Sequence, residues 1–370
     1  MSLGERGLLG LCADPELRST EVGDQLTLFA YWTPSLDRAR IVRIRVEVGE
    51  DTPPRVLAIE TIVDDLPASG SHNGGALTFG PDRCLYFSVG DLDDPEGTRP
   101  AGSRSGRIHR VETDGSIPRD NPWPGRSEFV RGIRNCFGLT AVPGVVPTVL
   151  YLTDNGPIEN DEVNRATAGD HLGWPDGTGK LHREDRRDPI HTWSPTTAPV
   201  GIVCLPGSLL PDGTSSGLLF GEYVSGRLVE LQLDAPGTMV LHHQIFLERP
   251  GTPIYALAVD GDGALWFTAG NAVGQIRPSR IEWIRGDLNG NGRIEQRDLQ
   301  LLLVHLTKHV PISCLAAADV DGNGVVDLAD AVSLRLFLSG ELVELSPPFL
   351  ACGVPAASRL DCEHHEFCAD

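Results

Sequence analysis

Short apolar runs recur between Gly-, Pro- and Asp-rich turns over the first three-quarters of the chain, and helical 3.6-residue periodicity is almost absent there. Several segments share one plan, a β-type run, a turn and a second β-type run. ALTF-GPDR-CLYFSVGD within 71–91 is one, and ALAV-DGDG-ALWFTAG at 256–270 nearly copies it. Looser versions occupy 138–156, 201–234 and 8–47. Antiparallel hairpins recurring at such spacing predict a β-propeller, in which each blade buries its faces against its neighbours. A β-sandwich is the structural alternative, but its strands would not repeat this turn plan so regularly. After Arg285 the texture changes. GDLNGNGRIEQRDLQLLLVHL at 286–306 and DVDGNGVVDLADAVSLRLFL at 319–338 are two copies of an Asx/Gly loop leading into an amphipathic helix. The expected organisation is an all-β propeller over 1–283, a small all-α module over 284–343 and a cysteine-containing tail over 344–370.

Composition narrows the partners. The chain has 370 residues and a net charge of −20, which disfavours nucleic acid and anionic membrane. No apolar run is long enough to span a bilayer. The start, MSLGERGLLGLCADPEL, lacks the basic region and unbroken apolar core of a signal peptide. Cys12, Cys84, Cys136 and Cys204 sit singly in apolar runs and read as buried free thiols. Cys314, Cys352, Cys362 and Cys368 cluster near the end. CEHHEFC at 362–368 reads as a small disulfide loop or as a weak metal site with His364 and His365. Its spacing fits no standard zinc pattern, so disulfides in an oxidising compartment are favoured.

The two Asx/Gly loops carry calcium-ligand spacing. Asp319, Asp321 and Asn323 fall at positions 1, 3 and 5, Gly324 at 6, Val325 with its carbonyl at 7, and Asp330 at 12. Asp287, Asn289, Asn291, Gly292, Arg293 and Asp298 occupy the same places in the first loop. Calcium takes six to eight hard oxygens, and glycine at position 6 permits the sharp turn. A solvated Asx-Gly turn explains one such loop, but not two complete loops each followed by an apolar helix. The arrangement resembles a type I dockerin domain, in which each unit binds one calcium ion and the helices dock onto a cohesin. It departs from an ordinary EF-hand, because position 12 is Asp and no helix enters the first loop. Positions 10 and 11, which carry recognition in that family, are Gln296 and Arg297 in one unit and Leu328 and Ala329 in the other. The resemblance therefore implies two calcium ions and a cohesin-like partner other than a cellulosomal one, or a plain calcium-stabilised module.

The first part of the chain resembles the soluble quinoprotein glucose/sorbosone dehydrogenases. GERGLLGLCADPEL, SHNGGALTFGPDRCLYFSVGD, RGIRNCFGLT at 131–140, TDNGPIENDEVNRATAGDHLGWP at 153–175 and HTWSPTTAP at 191–199 carry the likeness, in family order. The family is a six-bladed propeller that binds pyrroloquinoline quinone (PQQ) with a calcium ion over the central axis and oxidises aldoses at C1. The resemblance implies that His72 is the general base and that Asp91 fixes its tautomer and stabilises its imidazolium. A carboxylate beside an imidazole does both. It further implies that Arg134 stabilises the reduced quinone, that Asn135 hydrogen-bonds to it, and that the Gly156 and Pro157 carbonyls bind the cofactor calcium.

The likeness has departures. Val224 and Ser225 stand where the family has a quinone-contacting lysine, and ERPGTPIYALAVD offers only Arg249 before the last blade. Each lost charge-assisted bond weakens the hold on a tricarboxylated quinone. The chain begins almost at the family's GLLG segment, so the expectation is that a first blade and a signal lie upstream; a five-unit propeller is the rival. Extracellular or periplasmic location follows from the cysteines and the dockerin likeness. The favoured function is PQQ-dependent oxidation of a small sugar. The alternative is a non-catalytic propeller that binds carbohydrate or protein and is anchored through its dockerin. Trp174, Trp193 and Trp266 read as blade staples, and Trp123 as a stacking candidate. His171, His182 and His191 read as solvated surface, and Asp161 and Glu162 as structural calcium ligands or solvent-facing groups.

Overall fold

The computed structural model describes residues 4–15, 18–20, 23–49, 52–205, 217–260, 264–276, 283–342, 344–349, 351–353, 362 and 366–368. The residues through Ile276 and those from Trp283 onward form two compact units.

The first unit is an all-β propeller of five antiparallel sheets. The first sheet orders β1 (Leu8–Ala13), β3 (Gly23–Trp32), β4 (Arg38–Gly49) and β5 (Thr52–Pro67), with β2 (Arg18–Thr20) paired to β3. The second runs β6 (Leu77–Phe79), β7 (Leu85–Val89), β8 (Arg107–Val111), β9 (Glu128–Arg131). The third runs β10 (Gly138–Ala141), β11 (Leu150–Asp154), β12 (Asp161–Ala166), β13 (His191–Trp193). The fourth runs β14 (Pro199–Leu205), β15 (Gly217–Glu222), β16 (Arg227–Leu233), β17 (Val240–Glu248). The fifth has β18 (Ile254–Val259), β19 (Leu265–Ala269) and β20 (Ala272–Ile276). The five recurrent hairpins of the sequence therefore each seed one sheet. Five blades form among the described residues, matching the five units counted in the sequence; a sixth is not among them.

Strand periodicity builds the core as layers between blades. Every residue of β7 is buried, because a blade inside a propeller is covered on both faces. Its alternate side chains go opposite ways. Leu85, Phe87 and Val89 pack with Phe29, Tyr31 and Ile41 of the first sheet, whereas Tyr86 packs with Phe129, Leu150 and Leu152 towards the third. The third sheet repeats the device, with Tyr151 and Val163 facing Leu218 and Phe220 of the fourth. Successive blades meet through their first strands, β1 against β6, β6 against β10, β10 against β14 and β14 against β18. The approach is closest at glycines. A Cβ on Gly138 would lie 2.2 Å from the Val200 carbonyl oxygen, and one on Gly201 2.8 Å from the Leu257 nitrogen.

The second unit holds α1 (Gln296–Lys308), α2 (Leu315–Ala318) and α3 (Leu328–Ser339) around Leu288, Leu299, Leu302, Val320, Ala331 and Leu334. Both long helices start in a capping box whose third residue is an aspartate: Asp298 accepts the Glu295 N–H and Asp330 the Asp327 N–H, each at 2.8 Å. The Cys314–Cys362 disulfide ties the tail to the helices, and Cys352–Cys368 closes a loop within the tail. The small Cys362–Cys368 loop weighed from the sequence is thereby replaced by two longer-range bridges. His364 and His365 lie outside the described residues. Cys12, Cys84, Cys136 and Cys204 are free thiols.

Candidate functional site

In an antiparallel meander the entry to the first strand and the turn between the second and third lie at one end. Each blade therefore presents these two connections to the same face. His72 precedes β6 and Asp91 follows β7. Arg134 and Asn135 precede β10, and Asn155, Gly156 and Pro157 follow β11. The backbone stitches these loops together. Asp91 N–H donates to the Arg134 carbonyl at 2.7 Å, and Asn155 N–H to the Asn135 carbonyl at 3.2 Å. Gly90 sits between them; a Cβ there would lie 2.2 Å from the His72 carbonyl oxygen and 2.9 Å from that of Arg134. His72 itself adopts φ 54°, with its N–H donating to Glu5 Oε2 at 2.7 Å.

The hairpin brings the two ends of 71–91 into contact. His72 Nδ1 lies 2.7 Å from Asp91 Oδ1 and 3.1 Å from Asp93 Oδ1. Carboxylates only accept, so Nδ1 carries the proton. The other ring nitrogen, Nε2, lies 3.1 Å from Arg134 Nη2, a pure donor, and is therefore the acceptor. The Asp91 hydrogen bond raises the His72 pKa above the ordinary imidazole value; partial burial and the Arg134 charge oppose it. Asp91 is 1% exposed, and its second oxygen accepts the Trp174 indole N–H at 3.0 Å.

Arg134 spans the site. Its Nη1 donates to the Asn155 carbonyl at 2.8 Å and the Gly156 carbonyl at 3.2 Å, and its guanidinium lies 5.7 Å from the Trp174 ring centre. Asp154 accepts the backbone N–H groups of Arg134 and Asn135 at 2.9 and 2.6 Å. It is buried beside Glu162, its cross-strand neighbour, and burial holds both carboxyls above the usual carboxylate range. Asp161 uses both oxygens on backbone N–H groups of Gly156, Thr197 and Ala198, so it is a buried brace of these loops. Glu162 is likewise engaged, by the Asn164 side chain and the Gly179 N–H. Neither faces water. A narrow crevice is lined by Arg134, Asn155, Gly156, Glu162 and Trp174. Buried beside it, Asn135 Oδ1 and Asn155 Oδ1 have no hydrogen-bond partner.

His72, Asp91, Arg134, Asn135 and Gly156 thus share one locus, with Pro157 exposed next to it. Two further residues join them. Trp174 is a ligand of Asp91 and a wall of the cleft rather than a blade staple. Its only signal in the sequence is its place in the GWP segment. Asp93 had no signal there. At the lysine-lacking position Val224 is exposed, and Ser225 donates to Glu222. Tyr223 and Tyr255 meet edge-on nearby, ring centres 5.8 Å apart, both partly exposed. His171 and His191 are partly buried, and burial lowers the pKa of each, so the solvated reading holds only for His182, whose side chain is 78% exposed.

The calcium-type loops form separately. In the second, single oxygens of Asp319, Asp321 and Asp330 lie within 4.8 Å of one another. Asp319 Oδ1 is buried without a partner. Asn323 Oδ1 accepts the Val325 N–H at 2.8 Å, which turns the Val325 peptide as position 7 requires. In the first, Asp287 accepts the Asn291 and Gly292 N–H groups, and Asn291 the Arg293 N–H. Asp298 accepts those of Leu288 and Asn289. Burial pushes the Asp298 carboxyl up to about 6. Buried acceptors of one sign, one of them unpartnered, fit a hard divalent cation.

A fan of sheets with an imidazole–carboxylate pair and a guanidinium at one face defines the class of propeller with a polar mouth site. A family model described as Glucose / Sorbosone dehydrogenase matches residues 1–278, and the chain belongs to that family. A second model, Dockerin type I domain, matches residues 285–339. Among solved structures, the PQQ-bound aldose sugar dehydrogenase of Streptomyces coelicolor is 30% identical, with a TM-score of 0.61 over 72% of this chain and 75% of that one. A putative oxidoreductase (glucose dehydrogenase) of Thermus thermophilus is 29% identical, with a TM-score of 0.61 over 74% and 81%. Quinoprotein glucose dehydrogenase B of Acinetobacter calcoaceticus is 26% identical over 48% of this chain and 41% of its own length. No described helix is long and apolar enough to cross a membrane.

Proposed function

We propose that the propeller oxidises a small aldose with pyrroloquinoline quinone and calcium at the His72 site, and that the C-terminal module binds two calcium ions and docks onto a cohesin-like protein outside the cytoplasm. The observation that carries the first part is the His72 ring. Two carboxylates hold its Nδ1, so its Nε2 carries the lone pair, which accepts from Arg134, a residue of the cleft wall. That is the arrangement a general base needs. The unpartnered Asn135 and Asn155 side-chain oxygens suit a calcium ion, and Arg134, which here holds the Asn155 and Gly156 carbonyls, suits an anionic group of the quinone. Pro157 adjoins this set. When bound, the quinone supplies the hydride acceptor. The chain's part is to remove the C1 hydroxyl proton at His72 Nε2, to hold the resulting imidazolium on Asp91, and to displace Arg134 from that nitrogen. Val224 in place of a lysine leaves Arg134 as the main cation of the cleft and predicts weaker retention of the quinone.

The docking reading rests on α3. Leu328, Val332 and Leu336 form an exposed apolar stripe at helical spacing, whereas the matching start of α1 carries Gln296 and Arg297. The duplicated units therefore offer a partner unlike faces, and Leu328→Asp should abolish capture by a cohesin-like protein.

The test of the enzyme reading is dye-linked aldose oxidation by the full chain loaded with quinone and calcium. Turnover is expected in the parent and a loss of at least ~10² in His72→Ala with folding intact. Full binding of sugar with no oxidation would instead favour a non-catalytic carbohydrate-binding propeller.

A further inference from the structure

The loop after β7 holds more than the Asp91–His72 pair needs. Leu92 and Asp93 both adopt φ 61°, and His72 opposite them φ 54°. Left-handed backbone at non-glycine residues is costly and persists where surrounding structure enforces it. Here it is enforced from three sides. Asp91 Oδ1 accepts the Asp93 N–H at 3.0 Å, Leu92 N–H donates to the His72 carbonyl at 3.3 Å, and Ser71 Oγ donates to Asp93 Oδ2. The result is that Asp93 Oδ1 lies 3.1 Å from the same Nδ1 that Asp91 engages. Leu92 and Asp93 are the central pair of a turn closed by the Asp94 N–H on the Asp91 carbonyl at 3.0 Å, which holds the Asp93 side chain on the His72 side.

We propose that Asp93 is a second positioning carboxylate for His72: with Asp91 it brackets the Nδ1–H edge, fixing the ring plane and stabilising the imidazolium. This rests on the reading of His72 as the base. Two carboxylates set different properties. Asp91 is buried and holds the tautomer. Asp93, with a side chain 55% exposed, adds a charge that becomes effective when the ring is protonated. The groups facing His72 are Asp91 and Asp93 at Nδ1, Arg134 at Nε2 and the Glu5 carboxylate at its backbone N–H. Removing a negative charge near 3 Å from the ring disfavours the imidazolium, so its pKa must fall.

The experiment is a proton titration of His72 by side-chain NMR in the calcium-loaded full chain without sugar or quinone, with His72→Gln assigning the resonance. Asp93→Asn should lower the His72 midpoint by roughly half a pH unit or more, and Asp93→Glu should restore part of it. In the quinone-loaded enzyme the acid limb of kcat should move by the same amount, with KM little changed. An unchanged His72 midpoint in folded Asp93→Asn overturns the proposal. Absence of sugar oxidation in the parent would sink the functional reading alone, since the titration is read without turnover.

Discussion

At the residue scale the account turns on which nitrogen of His72 carries the proton. Nδ1 is committed to two carboxylates and Nε2 to a donor-only guanidinium, so the neutral ring has one available tautomer. Asp91 raises the pKa of this base, and the base works only when deprotonated. The rate should therefore rise with pH through a midpoint above the ordinary imidazole value. Asp91→Asn should move that limb to lower pH and cut kcat by ~10², because the amide can hold the wrong ring nitrogen. A pH–rate profile checks both; an unshifted limb would detach Asp91 from the base. His72 and Asp91 were legible in the sequence because one hairpin carries both, and a hairpin's geometry follows from its turn. Arg134 and Asn135 were legible from the RN segment. Trp174 and Asp93 were not. Trp174 reaches Asp91 from 83 residues away through the packing of the third sheet's loops, which no local pattern encodes. Asp93 depends on two left-handed residues that propensity argues against.

At the element scale, first strands touching across glycines position the site. Gly138→Val should force β10 off β14 and cost roughly 2–3 kcal/mol, read as a lowered denaturation midpoint. Phe87→Ala, which empties the layer between the first two sheets, should cost about 3–5 kcal/mol. Stability unchanged in both would contradict the layered core. The recurrent hairpins announced the sheets because inner strands such as β7 and β11 are buried throughout and begin on apolar runs. The outer strands were harder to read. β9 and β13 have only four and three residues, mix charged and polar side chains, and exist because a neighbouring strand offers its edge. The calcium-type loops were readable residue by residue, since a loop that must point alternate oxygens inward leaves little freedom. The disulfide pairing was not, because connectivity depends on how the tail folds back.

At the scale of the whole molecule, two compact units carry separate chemistries. Like-charged buried acceptors in 285–339 lose their counter-charge when calcium is removed, so a chelator should melt that module. The propeller core, built from apolar layers, should keep its far-UV signal. Calorimetry should resolve one transition that shifts with calcium and one set by the sheets; a single transition abolished by chelator would contradict this division. The most direct test of the central claim is calorimetric titration of the calcium-loaded full chain with pyrroloquinoline quinone. The account predicts one quinone per chain, binding lost without calcium and at least tenfold weaker in Arg134→Gln. No heat of binding to the folded, calcium-loaded chain would contradict it.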